Sequence, residues 1–354
     1  MTNSFDLAGV SVGVGSRAMI IAEVGINHNG DPALAHKLVD AAADACADVV
    51  KFQTFVPELL AGAGAGRADY QKRNLGGHGN QLEMLRNLTL SYETLAALKS
   101  HAEAQGLVFL ATPFDLPSLE FLQTLGVPGF KVSSGDLTNL PFLRKIARYG
   151  RPILLSTGMS TLTEVDFAVE AIRGSGNPPL AIFHCVSDYP AQPIDCNLKA
   201  MATLRARFGV PTGWSDHTMG LVLAVAATAL GAEVIEKHLT LNRAMPGPDH
   251  AASLEPWEFT ALVRAVRDTE AALGDGIKQP RANEAATARL ARKSVVALVD
   301  LPIGHKLHIE DFAVMRPGYG LPPDAAGTLA GRRMVRAVQA GFPIEAGDVE
   351  NVSW

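Results

Sequence analysis

Cysteine is scarce in this chain: only Cys46, Cys185 and Cys196 occur among 354 residues. No two of them have a CxxC or zinc-type spacing, and three are too few for a disulfide framework. This scarcity excludes a small disulfide-stabilised protein. It predicts reduced thiols in a cytoplasmic protein, with no catalytic cysteine among them.

Long hydrophobic runs and a large excess of one charge are also lacking. No apolar run approaches the roughly 20 residues that cross a bilayer, and the first residues lack the basic segment and apolar stretch of a signal peptide. The formal net charge is only −5. We therefore expect neither nucleic acid nor a membrane as a partner, and an anionic substrate must meet local cationic groups.

No GxGxxG motif follows the first predicted strand, which argues against a doubly wound dinucleotide-binding sheet. The chain instead alternates short runs rich in Val, Ile, Leu and Phe with longer stretches of helical periodicity. Eight such units predict an α/β fold, a (β/α)8 TIM barrel, with the doubly wound sheet as the alternative. The predicted strands begin at Ala18, Asp48, Val108, Phe130, Pro152, Leu180, Pro211 and Val234.

The alternation ends near residue 275, and this change predicts the domain organisation. We expect a TIM-barrel catalytic domain over 1–275, a polar and basic linker over 276–292, and a small β-rich domain over 293–354. Within the barrel, residues 56–85 after the second strand are rich in glycine and polar residues and too long for one helix. This segment predicts an elaborated loop on the active face.

Every predicted strand becomes polar at its C-terminal end, which is where barrels of this type carry their chemistry. Side chains two residues apart on a strand share a face, so Lys51 and Gln53 point the same way, as do Lys131 and Ser133. Inward-pointing Lys51 and Lys131, with hydroxyls and backbone N–H groups nearby, predict a pocket for a phosphate or a carboxylate.

The eighth predicted strand places three ionisable residues in a row, Glu236, Lys237 and His238, where a core strand would have valine. A charge buried without a partner is costly, so this placement predicts a functional site. His217 ends the neighbouring strand. Two imidazoles with carboxylates nearby suit a divalent metal that keeps open positions for water and a substrate oxygen.

Structural interpretations stay open for several of these residues. Lys51 or Lys131, taken alone, is consistent with a side chain that extends to a polar rim. Glu23 is also consistent with a structural carboxylate paired with a lysine. We expect His184 and Asp216 to be structural, His28 to cap the first loop and His250 to lie in a surface turn.

With these residues in view, the chain resembles the sialic acid synthase family over nearly its whole length. The motifs that carry the resemblance occur in order at the strand ends, and one lies in the small domain. They are IAEVGINHNGD, VVKFQTF, FLATPFD, FKVSSGDLTNLPFLRKIA, PILLSTGM, FHCVSDYPA, GWSDHTMG, VIEKHLTLNRAMPGPDHAASLEP and MRPGYG. The resemblance implies a barrel followed by an antifreeze-like (SAF, β-clip) domain, and a homodimer in which this domain covers the partner's active site.

The resemblance also implies a reaction: phosphoenolpyruvate condenses with an open-chain N-acetylated amino sugar and water to give a nine-carbon 2-keto sugar acid and phosphate. Mn²⁺ or Mg²⁺ on His217 and His238 would polarise the sugar aldehyde, and Glu23 would orient or deprotonate the water or hold a sugar hydroxyl. Arg316 would reach the partner subunit's site. Phosphoenolpyruvate would be held by Lys51, Thr112, Lys131, Ser134, Ser156 and Ser215. The sugar would contact Gln53, Tyr189, Glu236 and Asp249.

Two positions depart from the common pattern of the family. Val186 and Ser187 stand where many members have Thr-Asn, and Asp136 stands where glutamate is common. Ser187 and Asp136 are expected substrate contacts, so these departures affect the choice of sugar. N-acetylmannosamine, giving N-acetylneuraminic acid, is our first expectation, and a 2,4-diacetamido sugar giving legionaminic acid is the alternative. Two other hypotheses are a Schiff-base aldolase with Lys51 or Lys131 as nucleophile, and an inactive sugar-binding protein.

Overall fold

The computed structural model describes residues 4–62, 64–75 and 80–352. The chain separates into two compact units, Met1–Gly274 and Asp275–Trp354. None of the helices in the described ranges combines the length and the apolar composition that a membrane crossing requires.

The first unit is built around eight strands that run parallel to one another, and a short antiparallel hairpin precedes them. Each of the eight predicted strands is present. The hairpin consists of β1, Phe5–Leu7, and β2, Val10–Val12. The parallel strands are β3 Met19–Gly25, β4 Val49–Thr54, β5 Val108–Pro113, β6 Phe130–Val132, β7 Ile153–Ser156, β8 Leu180–Cys185, β9 Thr212–Asp216 and β10 Val234–His238.

The parallel strands follow the spatial order β5, β4, β3, β10, β9, β8, β7, β6. The two end strands of this order, β5 and β6, also approach one another, so the sheet curves into a barrel. The predicted TIM-barrel architecture is therefore confirmed. Since all strands are parallel, their C-terminal ends meet at one mouth, where the sequence placed its polar residues.

Helices connect successive strands of the barrel, and their ends carry typical capping residues. The Asp31 side chain accepts a hydrogen bond from the backbone N–H of Ala33 at the start of the first helix. Gly126 ends a later helix with a left-handed φ of 78°. The helices of this unit are α1 Pro32–Asp44, α2 Pro57–Leu60, α3 Asp69–Leu75, α4 Gln81–Arg86, α5 Tyr92–Ala104, α6 Leu116–Leu125, α7 Leu140–Ala147, α8 Leu162–Arg173, α9 Ala200–Phe208, α10 Val222–Ala229 and α11 Pro256–Leu273.

The hairpin β1–β2 closes the barrel at the end opposite the mouth. Its Leu7 and Val12 are fully buried and pack with inward residues from the starts of the strands, such as Met19 and Val234. Gly129 permits this contact, since a Cβ there would lie 2.8 Å from the Leu7 side chain. The hairpin was not predicted, because strands of three residues are too short to show alternation.

The segment between β4 and α5 contains three short helices, α2 to α4, in place of a single crossover helix. It corresponds to the elaborated loop predicted over residues 56–85. Position 63 and positions 76–79 of that loop lie outside the described residues.

The second unit has its own small antiparallel sheet, formed by β11, Ser294–Ala297, and β12, Phe312–Met315. Residues 276–292, which we predicted as a linker, belong to this unit and contain α12, Ala285–Ala291. A further short helix, α13, spans Ala326–Leu329. The prediction of a small β-rich domain is confirmed. Its core includes Val295, Leu301, Leu307, Phe312, Leu329 and Ile344.

Candidate active site

A cavity of about 390 Å³ opens at the mouth of the barrel. Its wall comes from the ends of all eight parallel strands and from the loops that follow them. Of the predicted site residues, it is lined by Glu23, Lys51, Gln53, Thr112, Lys131, Ser134, Ser156, Ser187, Tyr189, Ser215, His217, Glu236, His238 and Asp249. The structure therefore brings together residues that are up to about 230 positions apart in sequence.

Two predicted residues lie elsewhere. Asp136 follows β6, and its carboxylate accepts hydrogen bonds from the Ser133 hydroxyl at 3.2 Å and the Asn139 amide at 3.3 Å, so local groups already satisfy it. Arg316 belongs to the second unit, where its Nε donates to the carbonyl of Ala291 at 3.0 Å.

Two ammonium groups and two carboxylates form a buried cluster on the cavity wall. Lys51 Nζ lies 2.5 Å from Glu23 Oε2 and 3.7 Å from Glu236 Oε1. Lys131 Nζ lies 3.3 Å from the same Glu236 oxygen and donates to the Ser156 hydroxyl at 2.7 Å. Both lysines are buried, which excludes the interpretation that either side chain extends to an exposed rim. The short Glu23–Lys51 distance agrees with the alternative interpretation that Glu23 is paired with a lysine.

The charges in this cluster shift one another's pKa values. Burial alone would raise the pKa of the Glu236 carboxyl, but the ammonium groups of Lys131 and Lys51 lower it to about 2. Burial raises the pKa of Glu23 even though Lys51 opposes this shift. Burial also acts on the Lys131 ammonium group, whose pKa it lowers. Glu236 is therefore the ionised counter-ion of the two lysines, whereas Glu23 is the more basic of the two carboxylates.

The two predicted metal-binding histidines face each other, with ring centroids 5.6 Å apart. His217 Nδ1 donates to the carbonyl of Val186 at 2.6 Å, and the Ser215 hydroxyl, 3.5 Å from Nε2, donates to Glu236, so the lone pair of Nε2 stays available. His238 Nδ1 is buried and has no hydrogen-bond partner among the described residues. Burial lowers the pKa of His217 to about 4 and that of His238 well below its usual value, so both rings are neutral at pH 7.

These imidazoles fit a divalent cation. A metal-binding histidine commonly donates its other ring N–H to a carbonyl, as His217 does. The part of the chain that the structure describes contains no group of three His, Cys, Asp or Glu residues arranged to hold a metal. His217 and His238 would therefore supply two protein ligands, and substrate oxygens and water would supply the rest.

Hydroxyl groups line the side of the cavity formed by β6, β7 and β8. The Ser134 hydroxyl accepts from the backbone N–H of Gly158 at 2.9 Å and lies 3.2 Å from Cys185 Sγ. A Cβ at position 158 would collide with the hydroxyls of Ser187 and Ser134, so this close approach requires glycine. Across the cavity, the Ser215 hydroxyl donates to Glu236 at 3.0 Å, and Thr112 lies 3.3 Å from Lys51 Nζ.

Some lining residues were not predicted. Cys185 faces the cavity, and its sequence context gave no signal for it, because it follows an ordinary β-strand run. Gln71 in α3 and Gln81 in α4 also line the cavity. The length and composition of the segment after β4 predicted its location but not which side chains point inward.

The remaining ionisable residues have structural partners. Lys237 is fully buried and forms an ion pair with Asp216 at 2.8 Å, in agreement with a structural Asp216. His184 Nε2 donates to the carbonyl of Cys196 at 2.7 Å, also as expected. His28 accepts from the N–H of Gly30 within the first loop. The expectation for His250 was wrong: only 1 % of this residue is exposed, because its ring bonds two neighbouring loops.

Comparison with known proteins places this site in a family. The family model described as "NeuB family" matches residues 38–278, and the SAF domain model matches residues 292–350. The N,N'-diacetyllegionaminic acid synthase of Legionella pneumophila is 43% identical over 326 residues, which cover 91% of this chain and 92% of that protein. The human N-acetylneuraminate-9-phosphate synthase is 37% identical, with coverages of 94% and 92%.

A solved structure has the same fold. The crystal structure of N-acetylneuraminic acid synthetase from Leptospira borgpetersenii, in complex with citrate, superposes with a TM-score of 0.73 and 34% identity. The alignment covers 81% of this chain and 95% of that one. With these matches and a polar barrel mouth of this composition, the chain belongs to the NeuB family, the sialic acid synthase family indicated by its motifs, with a C-terminal SAF domain.

Proposed function

We propose that this protein is a nonulosonic acid synthase, which joins phosphoenolpyruvate to an open-chain N-acetylated amino sugar and releases phosphate. One observation carries the proposal: a single cavity holds two buried ammonium groups, Lys51 and Lys131, beside two facing imidazoles, His217 and His238. The first pair suits an acidic three-carbon substrate, and the second suits a cation that activates a carbonyl.

Phosphoenolpyruvate would bind on the side of the cavity formed by β4 to β9. Its phosphate and carboxylate carry more negative charge than Glu236 alone, so they would compete with Glu236 for the ammonium groups of Lys51 and Lys131. The hydroxyls of Ser156 and Ser134 already point to this region. Thr112 and Ser215 complete the set of hydroxyl groups for phosphoenolpyruvate, and Ser187 also lines the cavity as a substrate contact.

In the reaction, C3 of phosphoenolpyruvate forms a bond with the aldehyde carbon of the sugar. Water adds to the cationic C2 that this step leaves, and the bond between C2 and the phosphate oxygen breaks. The attacking water loses both of its protons: one goes to the aldehyde oxygen, and the other leaves the new C2 hydroxyl with the phosphate, which gives the 2-keto group and hydrogen phosphate. A divalent cation on His217 and His238 would supply Lewis-acid polarisation of the aldehyde.

Glu23 is our candidate for orienting the attacking water and taking its proton. Burial raises the pKa of Glu23, which makes it a better base than Glu236, whose pKa is about 2. Glu23 also lies at the level of His238 in the barrel, since the two are register partners on β3 and β10. The sugar would contact Gln53, Tyr189, Glu236 and Asp249, which line the same cavity.

We also propose a homodimer in which the SAF domain of one subunit covers the active site of the other. Arg316 would reach a polar group of the sugar there, since a guanidinium binds carboxylates and hydroxyls through several donors. The proposal rests on membership of the family and on the presence of Arg316 in the matching motif of the SAF domain.

The relatives change our order of candidate sugars. The Legionella protein, named for N,N'-diacetyllegionaminic acid, is 43% identical, and the human protein, named for N-acetylneuraminate 9-phosphate, is 37% identical. We therefore place the 2,4-diacetamido sugar that gives legionaminic acid first. N-acetylmannosamine is the second candidate.

The test is phosphate release from phosphoenolpyruvate with a panel of N-acetylated amino sugars, with products identified by mass. We expect release with one sugar, loss of activity with a chelator, and rescue by Mn²⁺ or Mg²⁺. His238→Ala should lower kcat/KM roughly 10³-fold or more with unchanged circular dichroism, because several kcal/mol of carbonyl activation are lost.

Two results would contradict the proposal. Borohydride trapping of a covalent adduct on Lys51 or Lys131 would indicate a Schiff-base aldolase. Absence of phosphate release with every sugar, despite measurable binding, would indicate a sugar-binding protein.

A further inference from the structure

His250 is held by hydrogen bonds on both ring nitrogens, although it lies outside the cavity lining. Its Nδ1 lies 2.7 Å from the Thr240 hydroxyl, and its Nε2 lies 3.1 Å from Asn29 Oδ1. The Asn29 amide nitrogen donates to the carbonyl of Pro246 at 2.9 Å, so the amide oxygen is the atom that faces His250. Nε2 therefore carries the proton, and Nδ1 is the acceptor that lies closer to the Thr240 hydroxyl, at 2.7 Å against 3.2 Å for the carbonyl of Asn242.

These bonds connect two loops at the barrel mouth. Asn29 lies in the loop from β3 to α1, whereas Thr240, Pro246 and His250 lie in the loop from β10 to α11. Burial lowers the pKa of His250 to about 4, so the ring stays neutral and keeps this tautomer at pH 7. A Cβ at Gly247 would collide with the ring, so the loop also packs closely around it.

The neighbouring residue, Asp249, is held from its other side. Its backbone carbonyl accepts from the Ser253 hydroxyl at 2.7 Å. That hydroxyl accepts from the Asn27 side-chain amide at 2.8 Å, and the same amide donates to the carbonyl of Leu239 at 2.9 Å. Hydrogen bonds therefore hold the main chain at Asp249 itself and, through Pro246 and His250, before and after it.

The carboxyl of Asp249 itself has an unsatisfied atom. It is 5 % exposed, it lines the cavity, and its Oδ1 has no hydrogen-bond partner among the described residues. Leaving a buried polar atom unpaired costs free energy, and a rigid loop is needed to hold it in that position. A polar ligand in the cavity would satisfy this atom.

We propose that His250 is a positioning residue: by joining the two loops through Thr240 and Asn29, it aims the Asp249 carboxyl at the acceptor sugar. This inference rests on the proposed function, because it assigns the sugar as the partner of Asp249. Lys51 and Lys131, which would hold phosphoenolpyruvate, lie on β4 and β6 and not on these loops.

The test compares His250→Phe, which keeps a ring of similar size but loses both hydrogen bonds, with His250→Gln, whose amide offers one acceptor and one donor. For His250→Phe we expect kcat/KM for the sugar to fall about 10- to 100-fold, since a misplacement of about 1 Å costs that much. KM for phosphoenolpyruvate should stay unchanged. His250→Gln should recover most of the loss.

A second variant and a control separate positioning from general destabilisation. Thr240→Val removes the partner of Nδ1 and should reproduce the sugar-selective loss at smaller size. Thr228→Val removes another buried hydroxyl, in α10, whose single partner among the described residues is the Ala224 carbonyl. We expect it to leave both KM values unchanged even if thermal stability falls.

Two results would overturn the inference. One is a His250→Phe protein whose kinetic constants for both substrates change equally, or whose only change is a lower Tm. The other is a crystal structure of His250→Phe in which the Asp249 carboxyl has not moved from its wild-type position. The second measurement does not require turnover. It tests the positioning role even if wild-type protein uses no amino sugar, a result that would count against the proposed function alone.

Discussion

Strand β10 carries buried charge on both of its faces, and the two faces differ in how that charge is satisfied. On the outward face, Lys237 bonds Asp216 at 2.8 Å and the carbonyl of Thr218 at 2.5 Å. The other oxygen of Asp216 accepts from the N–H and the hydroxyl of Thr218, at 2.9 and 2.7 Å. Asp216 Oδ2 has no hydrogen-bond partner among the described residues but meets Lys237 as an ion pair, so each charged group of this cluster has a protein partner.

On the inward face, Glu236 and His238 border the cavity, and Glu236 Oε2 and His238 Nδ1 have no hydrogen-bond partner in the described parts of the chain. Glu236, Lys237 and His238 are consecutive in sequence, and each is at most 5 % exposed. Burial of an ionisable residue therefore does not identify a functional site. A cavity next to unsatisfied polar atoms does identify a functional site, because a ligand in the cavity can supply the missing hydrogen-bond partners.

The largest expected effect is on stability, from the outward face. Lys237→Met should lower the free energy of unfolding by about 3–5 kcal/mol, because it leaves the buried charge of Asp216 without its partner. Urea denaturation measures this. Adding Asp216→Asn should restore part of the loss, since the amide keeps an acceptor for Thr218 without the charge. A loss below about 1 kcal/mol would show that the two faces do not differ in this way.

The next effect concerns Asp249, which lines the cavity and whose Oδ1 has no hydrogen-bond partner among the residues described. Burial, with a smaller contribution from Glu23, raises its pKa to about 7, whereas an unfolded aspartate has a pKa of about 3.9. The folded state therefore binds this proton more tightly, and stability falls as pH rises from about 4 to 7. The Asp249→Asn variant has no carboxyl at this position, so its stability does not fall with pH for this reason.

Denaturation of both proteins between pH 4 and pH 8, without metal or substrate, measures the difference. We expect Asp249→Asn to be more stable than wild type at pH 7 by up to about 4 kcal/mol, since each pKa unit corresponds to about 1.4 kcal/mol. The difference should vanish near pH 4. A difference that is constant across this range would show that Asp249 does not titrate in it.

The smallest effect is on ligand binding. It compares Lys131, which faces the inside of the barrel, with Lys237, which faces the outside. Lys131→Met should weaken phosphoenolpyruvate binding about 10- to 100-fold, because hydrogen bonds to a charged group contribute about 1.5–3 kcal/mol. Titration calorimetry measures the affinity. Lys237→Met, which removes an ammonium group from the same region of the barrel but from its outer face, is the matched control and should bind phosphoenolpyruvate as wild type does. Equal losses of phosphoenolpyruvate affinity in both variants would show that the inward and outward lysines do not differ in ligand binding.

Much of the site was predictable because strands have a period of two. Alternation placed Lys51 with Gln53 and Glu236 with His238 on one face, and parallel strands brought their C-terminal ends to the same mouth. These regularities act over a few residues, so they can be read along the chain. They predicted the barrel, the inward lysines and the facing histidines.

Local patterns cannot report contacts between distant segments, and these decided the rest. The pairing of Lys237 with Asp216 depends on which strands are neighbours, and the burial of His250 depends on a loop more than 200 residues earlier. Asp136 follows a polar strand end but turns to Ser133 and Asn139, and the hairpin β1–β2 is too short to show a period. The sequence by itself determined the strands, the polar residues at their C-terminal ends and the chemical groups available. Only the tertiary structure decided which groups are paired and which stay open to a ligand, because hydrogen bonds and ion pairs form between neighbours in space.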